Sequence, residues 1–153
     1  MLFGKLLKIV TAGALIAGLG VSLAHAAADD AIKARQECMK TNGKMMGVMV
    51  PMFKGEKPYD AAAVKAATDA TGAACADWGK WWGEDTMKGE TAETWAKAEI
   101  WSDAAGFKAA GEANYGKMQA LIATTDEAGF KAVFPELGGT CKGCHEKFRR
   151  PKE

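Results

Sequence analysis

Imidazole is scarce in this chain, with His25 and His145 the two histidines among 153 residues. Positive charge is in no excess either. Lys and Arg number 20 against 19 Asp and Glu, so no basic patch points to nucleic acid. No stretch alternates apolar and polar residues at period two, which excludes any confident strand. No nucleophile–base pair and no paired carboxylates converge on a common point, so the chain is not expected to be an enzyme. The longest apolar run is shorter than the ~20 residues that a membrane-spanning helix needs.

That run, Ile9 to Leu23, follows Lys5 and Lys8 and ends at Ala24-His25-Ala26, a small-x-small cleavage site. It predicts a secretory signal over residues 1–26, removed on export to the periplasm, with no membrane anchor left behind. Residues 27–153 then form the mature protein, and its 127 residues suffice for one compact domain. Lys5 and Lys8 leave with the signal, so Lys and Arg fall from 20 to 18 against 19 acidic residues, a formal charge of −1. His25 leaves too. His145 is the one imidazole that remains.

His145 ends the pentapeptide Cys141-Lys142-Gly143-Cys144-His145. Cys-x-x-Cys-His is the attachment signature of c-type haem. At i and i+3 of a helix both sulfurs share one face, where they form thioethers with the haem vinyl groups, and the adjacent imidazole serves as an axial iron ligand. A redox dithiol would need a preceding strand, and none is read there. A zinc site would have to recruit Cys38 and Cys75, which lack ligand spacing. One covalent haem c is therefore the expected cofactor, with a zinc or dithiol module as the weaker alternative.

Four segments carry the apolar 3-4 spacing of amphipathic helices. The first, about Asp30 to Phe53, has the stripe Ile32, Arg35, Met39, Asn42, Met46, Met49 and Phe53, with Pro51 expected to kink or loosen its last turn. The second starts at Asp60, a good N-cap, and carries Val64, Ala67, Thr71, Ala74, Trp78 and Trp81. A loop over about 83–91 precedes the third, about Ala92 to Ala123, where Gly106, Gly111 and Gly116 predict a bend. The fourth runs from about Asp126 to Arg150, with Phe130, Phe134, Leu137, Cys141, Cys144 and Phe148 facing inward and a weak spot at Gly138-Gly139. Four such helices with short connections predict an all-α, antiparallel up-down-up-down four-helix bundle, with haem near the end where the last helix finishes.

The mature chain resembles the cytochrome c′, or class II c-type cytochrome, family. The resemblance rests on the C-terminal haem motif followed by Phe148 and Arg149. It also rests on Lys54-Gly55-Glu56-Lys57-Pro58-Tyr59-Asp60 at the first hairpin, and on Ile100-Trp101-Ser102-Asp103 followed by Phe107. In that family the sixth iron position faces a first-helix residue, four after the one that is Arg35 here. It is usually apolar and unbound, but in a low-spin branch it is a bound methionine. Here it is Met39, and Met39-Lys40-x-Asn42-Gly43-x-x-Met46 looks more like the low-spin branch. Bundle geometry agrees, since Met39 and His145 lie roughly 14 and 8 Å from the same bundle end, and Met46 lies ~10 Å beyond.

The resemblance thus implies His145/Met39 ligation and a carrier of single electrons serving redox partner proteins. The alternative is a five-coordinate haem that binds NO or CO. Arg35, one turn before Met39, and Arg149, one turn after His145, are candidates for a haem propionate or pocket contact, or for solvated charges. Phe148 stands beside them. Cys38 and Cys75 are equidistant from the first hairpin, so an antiparallel pair sets them at one height. They are expected either as a disulfide or as two small buried thiols. The five tryptophans are expected mostly as core packing, with a surface patch available for a homodimer or a partner.

Overall fold

An alanine-rich stretch has the highest helix propensity, and the first helix exploits it by starting early. The computed structural model describes residues 17–151. Helix α1 (Ala17–Phe53) runs without a break through the expected cleavage point after Ala26, well before the Asp30 start read from the sequence. The first sixteen residues of the expected signal lie outside the described residues. Pro51 does not stop α1, which closes two residues later. Glu56 N–H donates to the Pro51 carbonyl at 2.9 Å, and Gly55 takes φ 74°, the left-handed turn that only glycine adopts freely.

Asp60 caps α2 (Ala61–Ala74) as expected, accepting from the Ala62 and Ala63 amides. Helix α2 is shorter than the periodicity implied: Cys75 ends it, Trp78 opens a following 3₁₀ turn (Trp78–Lys80), and Trp81 caps that turn. A second 3₁₀ turn spans Glu84–Thr86. The third segment also differs. Residues 92–98 are not helical, and helix begins with the single turn α3 (Glu99–Ser102), broken at Asp103 before α4 (Ala104–Ile122). The break falls at an N-cap, Asp103 accepting from the Gly106 amide, rather than at the internal glycines, and α4 is continuous.

Tertiary pairing explains residues 92–98. Ala96 bridges Arg149 in antiparallel fashion, with Lys97 N–H donating to Phe148 O at 3.0 Å and Arg150 N–H to Trp95 O at 2.8 Å. That pairing also pulls Arg149 into an extended conformation, so α5 (Glu127–Phe148) stops short of the expected Arg150. Asp126 caps α5, and neither Gly138 nor Gly139 interrupts it.

Helices α1, α2, α4 and α5 form the four-helix bundle, α1 pairing with α2 and α4 with α5. Among the described residues there is no named strand, and no helix long and apolar enough to cross a membrane. The core divides into two clusters. One joins Met45, Met49, Met52, Val64, Met118, Leu121, Phe130, Phe134 and Leu137. The other, at the C-terminal end of α5, joins Ile100, Phe107 and Phe148, with Trp78, Trp82, Trp101 and Cys144 packed against them. Three of the five tryptophans therefore pack as core, edge-on or tilted to one another and to Phe107.

Candidate functional site

Helix α5 sets Cys141 and Cys144 one turn apart on one face, both half-buried and both free thiols. Burial pushes the Cys141 thiol up, with the Asn114 amide and Thr140 hydroxyl pulling partly back; burial raises Cys144 too, and Cys141 adds to it. The pair is held as neutral S–H. Asn114, on α4, donates to Thr140 Oγ1 at 2.9 Å and reaches Cys141 Sγ at 3.4 Å, so α4 braces the first thiol directly. Cys144 sits against the aromatic cluster.

His145 follows on the same helix, half-buried. Burial lowers its pKa, and the Arg149 charge lowers it further. The ring is therefore neutral near pH 7 and keeps a lone pair to give to a metal. Arg149 is exposed, and its amide donates to the His145 carbonyl at 3.1 Å. Beside them lies an open depression of about 510 Å³ lined by Lys97, Lys142, His145, Glu146, Arg149 and Arg150. Phe148 is 3% exposed and packs edge-on against Phe107 at 5.2 Å.

Arg35 is the most informative side chain of α1. It is buried, its guanidinium carbon lies 4.6 Å from the Trp82 ring centroid, and Nη2 donates to Thr86 O at 2.7 Å. Its Nε and Nη1, and the Trp82 Nε1 nearby, are buried without a protein partner. Burial lowers the Arg35 pKa to about 10. An orphaned buried cation is costly, and a carboxylate is the group that satisfies it. Haem c brings carboxylates as well as vinyl groups and iron. Paired thiols on one helix face, a neutral imidazole beside them, and an unpaired guanidinium on the cluster that packs Cys144 together fit that group. The solvated-charge alternative for Arg35 is thereby excluded.

One reading of α1 needs correction. The buried row is Ile32, Arg35, Cys38, Met45, Met49 and Met52, so the central part of the expected stripe is displaced by one residue. Met46 is half-buried, and Phe53 and Met39 are each 38% exposed. Cys38 is turned inward, bonded to Cys75 on α2 with Cα–Cα 5.0 Å. That bond also removes both sulfurs from any zinc site, and among the described residues no three His, Cys, Asp or Glu side chains cluster to hold a metal ion.

The cytochrome c′ family profile matches residues 30–149. The chain is 36% identical to a cytochrome c′ of Alcaligenes xylosoxydans xylosoxydans over 128 residues, covering 81% of this chain and 96% of that one. The chain belongs to the cytochrome c′ family. Members of this family bind one covalent haem c with its iron. A cytochrome c-556 of Agrobacterium fabrum is 34% identical and spans 95% of the chain and 97% of its own length. A solved nitric oxide complex of a cytochrome c prime mutant from Alcaligenes xylosoxidans superposes with TM-score 0.72 at 34% identity, covering 82% of this chain and 97% of that one.

Three side chains of the site escaped the sequence reading. Asn114 carried a signal, being the one amide on the third segment's stripe of Ile100, Ala104, Phe107, Gly111, Asn114, Met118 and Leu121. Trp82 and Thr86 carried none, because only the folded loop brings them to Arg35. Asp29 also went unremarked. Its carboxylate accepts from the Glu90 and Ala92 amides at 2.9 and 3.1 Å and from the Thr91 amide and hydroxyl, which hangs the 86–94 loop on α1.

Proposed function

We propose that this chain is a non-catalytic, periplasmic haem c protein whose sixth iron position takes up a diatomic gas such as NO or CO. Cys141 and Cys144 would carry the thioether links, His145 would give its ring nitrogen to the iron, and Arg35 would pair with a propionate. Haem c, when bound, supplies a redox-active iron with one position open to exchange. The chain's own residues decide what reaches that position.

One observation carries this reading. The chain shares the fold of a cytochrome c prime solved as its nitric oxide complex, over 82% of this chain at 34% identity, and that likeness favours a sixth position open to a small ligand.

A second reading keeps Met39 as the bound sixth ligand and makes the protein a carrier of single electrons between redox partners. Its support is the residue itself, since His/Met ligation raises an iron's potential and favours electron transfer. Export through a signal over residues 1–26 and an optional homodimer belong to both readings.

Visible absorption of the reduced holoprotein, with and without CO, separates them. A broad high-spin spectrum that shifts with CO supports gas binding. Sharp low-spin bands indifferent to CO support electron carriage, and a colourless protein removes both.

A further inference from the structure

Helix α2 has little of its own to bury. Its 14 residues include one apolar side chain larger than alanine, Val64, which joins the methionine-rich cluster near the helix start. From Lys65 onward the inward positions are Ala67, Thr68, Thr71 and Ala74. The Thr68 hydroxyl donates to Lys65 O at 2.8 Å and the Thr71 hydroxyl to Ala67 O at 3.0 Å, so each spends its polar atom inside α2 and offers a neighbour only a methyl group. The shortage belongs to the sequence of α2, so no neighbour, haem included, gains more apolar side chain from this half. Thr68, Asp69, Thr71 and Gly72 are also poor helix formers, and a helix this short is marginal without tertiary support.

At the far end of this half the attachment to α1 is covalent. Cys75 caps α2 and is bonded to Cys38, and Asn42 Nδ2, 3.5 Å from Cys75 Sγ, adds a weak polar contact across the same seam. Helices α1, α4 and α5 are held differently, by Met45, Met49, Leu121, Phe130 and Leu137, all fully buried. We propose that the Cys38–Cys75 bridge is a redox-controlled latch on residues 65–75. Bonded, it holds this half-helix to α1; reduced, it lets the half-helix unfold locally while the other helices stay packed. The opening step is thiol–disulfide exchange with a dithiol reductant. The reductant gives two electrons and two protons, the S–S bond breaks, Cys38 and Cys75 become thiols, and the reductant closes its own disulfide. A thioether at Cys141 or Cys144 has no S–S bond to exchange, so the latch opens without loss of the cofactor. It is independent of what occupies the sixth iron position.

Hydrogen exchange of the holoprotein, read peptide by peptide in a mass spectrometer, tests this with and without dithiothreitol. A Cys38→Ala/Cys75→Ala variant gives the unbridged state without reductant, and the treated parent serves alone if that variant does not accumulate. Treated parent is expected to gain two hydrogens and keep its haem. Amides of residues 65–75 are expected to exchange tenfold or more faster, with α4 and α5 peptides and the visible spectrum of the reduced protein unchanged. Equal acceleration across α2, α4 and α5 overturns the proposal, because the bridge then stabilises the whole fold. Unchanged exchange in protein that has gained the two hydrogens overturns it too, as does a bridge that dithiothreitol leaves unreduced in the folded protein.

Discussion

Arg35 lies over the ring of Trp82, 4.6 Å from its centroid, and spends only one of its guanidinium nitrogens on a protein acceptor, the Thr86 carbonyl. Helix α1 is thereby tied to the loop that crosses the haem end of the bundle. A buried cation with unmet donors is retained only where something else meets them.

The first prediction follows from that. In the holoprotein, Arg35→Met should lower stability by about 1.5–3 kcal/mol, the range for hydrogen bonds to a charged group, as read by denaturant unfolding. If no propionate pairs with Arg35, the methionine instead relieves burial of a charge, and the variant is neutral or more stable.

Asp29 gives a pH dependence. Hydrogen bonds from the Thr91 hydroxyl first, then the Ala92 amide, hold its carboxylate down from 3.8 to about 2. A depressed carboxylate stabilises the fold above its unfolded pKa and loses that contribution as pH falls through the folded value. Thermal midpoints of the parent should therefore drop between pH 3.8 and about 2 more steeply than those of Asp29→Asn. Gly89→Ala should weaken the same attachment, since an added Cβ would stand 2.6 Å from Ala92 O and collide with Asp29.

The thiols give a third. Cys141→Ser with Cys144→Ser should yield protein that retains no haem mass after denaturation. Asn114→Ala should keep the covalent haem, because the amide only braces Cys141 Sγ. Denaturing mass spectrometry reads both. Haem retained by the double variant would remove the attachment site from α5.

Leu137 gives a prediction about packing. It is fully buried in the methionine-rich cluster, and Leu137→Ala should cost roughly 2–5 kcal/mol in denaturant unfolding. CO affinity should stay at the parental value, because that cluster does not include Cys144, Trp82 or Phe107.

Local rules carried much of the fold. Asp60 and Asp126 start helices where a side-chain oxygen meets free amides, and Phe130, Phe134, Leu137 and Phe148 bury at helical spacing. Residues 92–98 resisted such reading. Their backbone groups find partners on Phe148 and Arg150, Lys97 N–H donating to Phe148 O and Trp95 O accepting from Arg150 N–H, and a pairing across some fifty residues leaves no periodicity.

What the sequence by itself determined is the set of four helices and the spacing of Cys141, Cys144 and His145, because both depend on interactions within one turn. Only the tertiary structure decided which face of α1 is buried. Rows through Met39 and through Cys38 are almost equally apolar, and the partners that tell them apart lie on other elements: Cys75 is bonded to Cys38 across the seam, and Trp82 with Thr86 meets Arg35 one turn earlier.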